Sequence, residues 1–218
     1  MELHYTQENI KVIKKDLADS CKLIAVSKYR ETEDIKRVYD FGIRDFAENR
    51  VQPLLERHEE LPKDIKWHII GHLQRNKVKY IAPFIHMIHS VDSIRLLKEI
   101  NKRALENERV IPCLLQFHIA QEESKFGFSP ADIENISNEI KNLNLSHVQI
   151  TGLMAMATFT KDESLVEQEF AQARDLSLKL QEVFPKAIEL SIGMSGDYEI
   201  AQKFGSTMVR IGSKIFEK

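Results

Sequence analysis

The chain has 218 residues, 43% of them hydrophobic, with 31 lysines and arginines against 33 aspartates and glutamates for a net charge of −2. Interspersed charges of both signs argue against a dedicated nucleic-acid binder, and no apolar run is long enough to span a bilayer. Cys21 precedes an apolar run and Cys113 lies inside one; both read as reduced core or near-core residues, and the charged N-terminus is no signal peptide, so the expectation is one soluble cytoplasmic domain over 1–218.

In chain order, residues 8–15 have the spacing of an amphipathic helix, and 23–28 (LIAVSK) form the first β-type run. A helix follows from Thr32, a plausible N-cap, to a stop at Gly42. Further strands are read at 43–47, 67–71 and 87–92, then a helix over 93–107 capped by Ser93. Next come a strand over 111–119 and a helix over 130–142, with Ser129 as cap and Pro130 at the first helical position, where its missing N–H costs nothing. A strand at 147–156 leads into a long helix from Ser164 to Val183, with Leu165, Phe170, Ala173, Leu176 and Leu180 near one face. Strands at 187–193 and 206–212 complete the set.

Eight strands alternating with helices imply a parallel sheet covered by helices, either a closed (β/α)8 TIM barrel or an open doubly wound sheet. An open dinucleotide-binding sheet calls for a glycine-rich first turn, and Ser27-Lys28-Tyr29-Arg30 has no glycine. The barrel is therefore the reading, with the 8–15 helix as an extra element expected to cap the barrel floor.

Closure makes the first and last strands neighbours, which brings three features to one rim. Lys28 ends the first strand, where barrels build their sites, and shares a face with Ile24 and Val26, so its amine is expected to be desolvated in the barrel mouth. Desolvation frees an amine that can attack a carbonyl. Alone, such a lysine reads as a solvated strand end. The turns Ser191-Ile192-Gly193-Met194-Ser195-Gly196 and Arg210-Ile211-Gly212-Ser213 lie after strands seven and eight, where barrels hold phosphate. One such turn would mark only a bend; two at these strand ends favour an anion cradle. Arg210 points inward by parity with Met208. An amine, a fixed cation and an anion cradle suit pyridoxal 5'-phosphate (PLP). An arginine against the pyridine nitrogen keeps that nitrogen unprotonated, which makes the cofactor a weak electron sink suited to restrained chemistry or to holding.

At these residues the sequence resembles the YggS/PROSC-type pyridoxal phosphate homeostasis proteins, which share a fold with the barrel domain of alanine racemase. The likeness runs through Ala25-Val26-Ser27-Lys28, Phe46-Ala47-Glu48-Asn49-Arg50-Val51-Gln52 and the stretch from Trp67 to Lys77. It continues in Ser124-Lys125-Phe126-Gly127, the stretch from Gly152 to Met156, the stretch from Leu190 to Ser195, and the stretch from Gly205 to Ser213. The resemblance implies that Lys28 carries PLP as a Schiff base and Arg210 faces the pyridine nitrogen. It further implies that Ser191, Gly212 and Ser213 hold the phosphate while Asn49 lines the ring pocket. Four positions depart from the family pattern: Ala47 for glycine, Arg50 for tyrosine, Ser213 for threonine, and Phe126 for a small residue. Arg50 and Phe126 are expected to alter the pocket mouth.

Racemisation needs an acid and a base on opposite faces of the substrate–cofactor plane. By the resemblance, alanine racemase brings a tyrosine from a second subunit, with the help of a further β-domain. This chain ends just past strand eight, and Tyr29 and Tyr198 read as rim aromatics. The expectation is a monomeric PLP carrier acting in vitamin B6 and amino-acid homeostasis, with PLP-requiring apo-enzymes as partners and no nucleic acid or membrane. The alternatives are an alanine-racemase-type enzyme and a PLP-free Schiff-base barrel of aldolase type, which would leave Arg210 unexplained. A metal-dependent hydrolase is disfavoured, because His68 and His72 stand roughly 13 Å apart on a strand and His86 and His89 would face opposite ways. Arg75, Lys77 and Lys79 lack interleaved aromatics for RNA and read as a solvated helix face.

Overall fold

A computed structural model describes residues 4–122, 126–143 and 145–218. Its centre is a closed barrel of parallel strands: β1 (Lys22–Val26), β2 (Asp45–Glu48), β3 (Lys66–Ile69), β4 (Met87–Val91), β5 (Ile111–Gln116), β6 (Val148–Met154), β7 (Glu189–Ser191) and β8 (Met208–Ile211). Each strand lies inside its sequence-read run or overhangs it by a single residue at one end, and several are shorter than the run. β1 closes on β8 with Ile24 beside Arg210.

Strand parity sorts the core into two layers. Ile24, Val26, Ala47, Met87, Leu114, Met154 and Met208 fill the barrel interior. Their neighbours, among them Ala25, Phe46, Trp67, Ile88, Leu153 and Val209, pack outward beneath the helices. Both faces are covered, which is why these strands read as near-continuous apolar runs. The rest of the interior is polar: His68, His89, Gln116, Ser191 and Arg210 are all buried.

The outer ring contains α1 (Tyr5–Asp16), α2 (Thr32–Asp40), α3 (Val51–Glu60), α4 (Val78–Ile81), α5 (Ile94–Glu106), α6 (Ile133–Asn142), α7 (Glu163–Val183), α8 (Tyr198–Lys203) and α9 (Ser213–Phe216). Ser93 caps α5, accepting from the Leu96 N–H at 3.3 Å, and Ser129 accepts from the Ala131 N–H in the 3-10 turn Pro130–Asp132 that opens α6. Gly42 follows the end of α2 with φ +97°.

Two expectations fail. Thr32 is the first helical residue of α2 rather than its cap; Glu31 holds the cap position, and the Thr32 hydroxyl donates to Glu60 at 2.8 Å. The extra helix α1 does not cap the barrel floor. It lies on the wall beside α9 and α2, with the Asn9 amide donating to the carbonyls of Ile215 and Glu217 near the opposite rim. Its apolar face, including the fully buried Ile10 and Ile13, needs an apolar wall to cover it, and the sheet's outer layer offers one.

Candidate functional site

A cavity of about 1450 Å³ opens at the C-terminal ends of the strands. Lys28, Asn49, Arg210, Gly212 and Ser213 all line it, together with Ser195 and Gly196. Five of the six residues singled out in the sequence thus meet in one place. Ser124 and Lys125, part of the family likeness, lie outside the described residues.

Lys28 sits on the loop leaving β1, and its setting corrects one expectation. The side chain is exposed into the cavity rather than desolvated. The loop itself is held firmly. Tyr29 takes a left-handed φ of +63°, uncommon for a non-glycine residue. Ser27 donates its hydroxyl to Glu48, which is 2% exposed, and Arg57 pairs with the same carboxylate. The second guanidinium nitrogen of Arg57 reaches the Arg30 carbonyl at 2.7 Å. Burial pushes the Glu48 carboxyl up, and the pull of Ser27, Arg57 and Lys28 does not cancel that shift. This clamp pins the loop on both sides of Lys28. The sequence reading missed it, although Glu48 ends β2 one residue before Asn49.

Three other lysines of the described cavity lining are Lys161, Lys214 and Lys218. Lys214 is committed elsewhere: its ammonium donates to the Tyr198 phenol at 2.9 Å and to Glu199 at 3.2 Å, and these bonds raise its pKa and keep it protonated. A protonated amine is no nucleophile.

The anion cradle differs from expectation at one residue. Ser191 is fully buried, lies outside the cavity lining, and spends its hydroxyl on Arg210 and His89. Parity explains the difference: Ser191 follows the outward-packed Leu190 and so points into the barrel. Ser195, four residues on in the same turn, faces the cavity instead. Its Oγ accepts from the backbone N–H groups of Gly212 at 3.3 Å and Lys214 at 3.4 Å, tying the two glycine–serine turns together. A Cβ on Gly212 would lie 3.2 Å from the Val26 carbonyl, so glycine lets the β8 turn close onto β1.

Arg210 is 3% exposed and donates to the Ser191 carbonyl at 2.5 Å, the Ser191 hydroxyl at 2.6 Å and the Ala155 carbonyl at 2.9 Å. Burial lowers its pKa to about 10, against a smaller upward pull from Asp197, so it stays charged at neutral pH.

At the mouth, Phe126 stacks on His72 with ring centroids 3.8 Å apart, as expected of a residue that shapes the entrance. Arg50, also expected there, lies outside the cavity lining. Tyr29 is 81% exposed on the rim, but Tyr198 is not a rim aromatic. It is buried, with its phenol bonded to Asp16 at 3.2 Å and to Lys214.

The histidines also rearrange the expectation. His68 and His89 both point into the barrel, bonded at 2.8 Å, and His86, ahead of β4, packs its ring on His68 at 5.2 Å. Asp45, His68 and His86 bring one donor atom each within 4.8 Å of one another. A cation there is opposed by Lys22, 3.9 Å from the Asp45 carboxylate, and by the charge of Lys66. The basic run after β3 does contain an exposed aromatic, Tyr80, but the Lys77 and Lys79 ammoniums lie over its ring at 5.7 and 4.8 Å. Among the described residues, no helix is long and apolar enough to cross a membrane.

The chain is similar to several known proteins. The family described as alanine racemase, N-terminal domain, matches residues 2–217. A pyridoxal phosphate homeostasis protein of Aquifex aeolicus is 38% identical over 197 residues, covering 89% of this chain and 86% of its own length. The structure of PipY of Synechococcus elongatus with PLP bound superposes with a TM-score of 0.88 at 34% identity, covering 97% of this chain and 99% of PipY. An alanine racemase of Clostridium difficile, 15% identical with a TM-score of 0.81, covers 97% of this chain but 56% of the racemase, and shares the fold.

Proposed function

The chain belongs to the alanine racemase N-terminal domain family, and on that premise we propose that it binds PLP through Lys28 and serves PLP homeostasis without fast turnover of its own. The carrying observation is the meeting of Lys28, Arg210 and the Gly212-Ser213 turn around one cavity. The residues fit the cofactor: an exposed amine on a clamped loop at the end of β1, one buried cation, and two glycine–serine turns tied by Ser195. When bound, PLP supplies an aldehyde and an electron-accepting ring. Lys28 would provide the amine that links to the aldehyde, and the clamp of Glu48 and Arg57 holds its loop in place. Arg210 would face the ring nitrogen and, staying charged, has no proton acceptor to offer it, so it would keep that nitrogen unprotonated. Ser195, Gly212 and Ser213 would hold the phosphate, and Asn49 would border the ring.

A holding role is favoured over racemisation by the state of the phenols. Tyr198 is committed to Asp16 and Lys214, and Tyr29 shares a loop with Lys28 rather than facing it. The same reading takes residues 1–218 as one PLP-binding domain, monomeric and cytoplasmic, that hands PLP to apo-enzymes. Two buried free cysteines suit a reducing compartment. Sedimentation of the purified protein and activation of an apo-enzyme by the loaded protein test those points.

The function itself is tested by titrating PLP into wild type and Lys28→Ala while following visible absorption, with a racemase assay alongside. The expected outcome is a visible band in wild type alone and negligible racemisation. Robust racemisation lost on substituting Tyr29 would overturn the holding role.

A further inference from the structure

We infer that Asp45, His68, His89 and Ser191 are positioning residues, forming a one-way chain of hydrogen bonds through the barrel that fixes the guanidinium of Arg210 from behind. The inference rests on the reading of Arg210 as the group that faces the cofactor ring.

Five inward-facing residues from five strands line up: Asp45 (β2), His68 (β3), His89 (β4), Ser191 (β7) and Arg210 (β8). The direction of every link follows from the chemistry of the ends. An ionised Asp45 only accepts, so His68 donates to it through Nε2, at 3.2 Å. A neutral imidazole carries one N–H, so His68 Nδ1 must accept. Its partner across 2.8 Å, His89 Nε2, is therefore the donor. His89 has then used its only N–H, and its Nδ1 accepts from the Ser191 hydroxyl at 3.0 Å. With its O–H committed to His89, the hydroxyl oxygen keeps lone pairs to accept from the Arg210 N–H at 2.6 Å. Reversing any single link sets two donors or two acceptors face to face in a site closed to water, where an unmet polar group is costly.

The protonation states this requires are those burial enforces. His68 and His89 are fully buried and desolvation holds both rings neutral, most strongly at His89, which also feels Arg210. Burial works to raise the Asp45 carboxyl, but the bond from His68 and the charges of Lys22 and Lys66 outweigh it and keep it ionised. His86 packs against the pair, and its ring is neutral too, lowered to about 4 by burial. A chain that starts on a cation and ends on a carboxylate polarises each link in the same sense, which strengthens Ser191 as an acceptor for Arg210. Two oxygens of Ser191 and the Ala155 carbonyl then leave Arg210 one orientation.

Long-range proton–nitrogen NMR of the histidine rings in the ligand-free protein tests the chain directly. Both His68 and His89 should be neutral with the proton on Nε2 across mildly acidic to mildly alkaline pH. A charged ring, or a proton on Nδ1 of either, overturns the inference whatever the protein binds. A second arm follows the pH midpoint of the visible band with PLP bound. His89→Leu should move it by roughly one unit, the size of one hydrogen bond to a charged group. His86→Gln, outside the chain, should leave it in place. An unmoved midpoint in His89→Leu refutes the positioning role. Absence of any band in wild type instead sinks the proposed PLP binding, while the ring tautomers still judge the chain.

Discussion

Acidification should unfold this barrel earlier than its carboxylates alone dictate. His68 and His89 are fully buried, and desolvation lowers both below the ordinary histidine value of 6.5. The folded state then binds fewer protons than the unfolded chain, so their contribution is complete above the unfolded value and is lost as pH falls through and below it. Each ring that stays neutral in the fold removes at most about 1.4 kcal/mol per pH unit below that point, and the pair about 2.7 kcal/mol. His86, only partly buried, adds a smaller, solvent-screened share in the same direction. Urea unfolding at stepped pH reads the effect, with His89→Leu beside wild type. The wild-type slope should exceed that of the variant by about 1.4 kcal/mol per unit. Parallel slopes would mean that His89 titrates freely in the fold, and the desolvation argument would be wrong.

Three further outcomes follow from contacts elsewhere. Gly152→Ala puts a Cβ 1.8 Å from the Glu189 carbonyl, between β6 and β7; a loss above about 4 kcal/mol, or failure to fold, is expected in thermal unfolding. Arg57→Met leaves the buried Glu48 without its ion-pair partner, which should cost about 3 kcal/mol at neutral pH and less in acid, where the carboxyl can protonate; PLP titration should show weaker binding through the loosened Lys28 loop. Phe126→Ala removes the stack on His72 at the cavity mouth, with a stability change below about 1 kcal/mol and faster PLP release in a stopped-flow chase.

Alternation and parity made the barrel legible, because a strand buried on both faces announces itself as an apolar run and each helix as a spaced one. The same parity placed Lys28 and Arg210 at the right rim. It would also have placed Ser191 correctly had it been applied there: the residue follows an outward Leu190 and must point inside. The polar chain left a signal of the same kind, since Asp45, His68 and His89 share inward parity on successive strands, but histidine spacing within one strand drew attention away from neighbours across strands. Glu48 and Arg57 belong to consecutive elements and meet only because α3 folds back over β2 (Arg57 lies one helix turn before its end). The wall position of α1 depends on which surface remains uncovered after closure, and Thr32 lost its cap role to a one-residue boundary shift.

Borohydride reduction of the PLP-loaded protein, followed by peptide mass mapping, examines the covalent link at its source. The cofactor mass should appear on the peptide containing Lys28 and vanish in Lys28→Ala. Attachment to Lys161, Lys214 or Lys218, which border the same cavity, or to no lysine at all, would contradict the assignment.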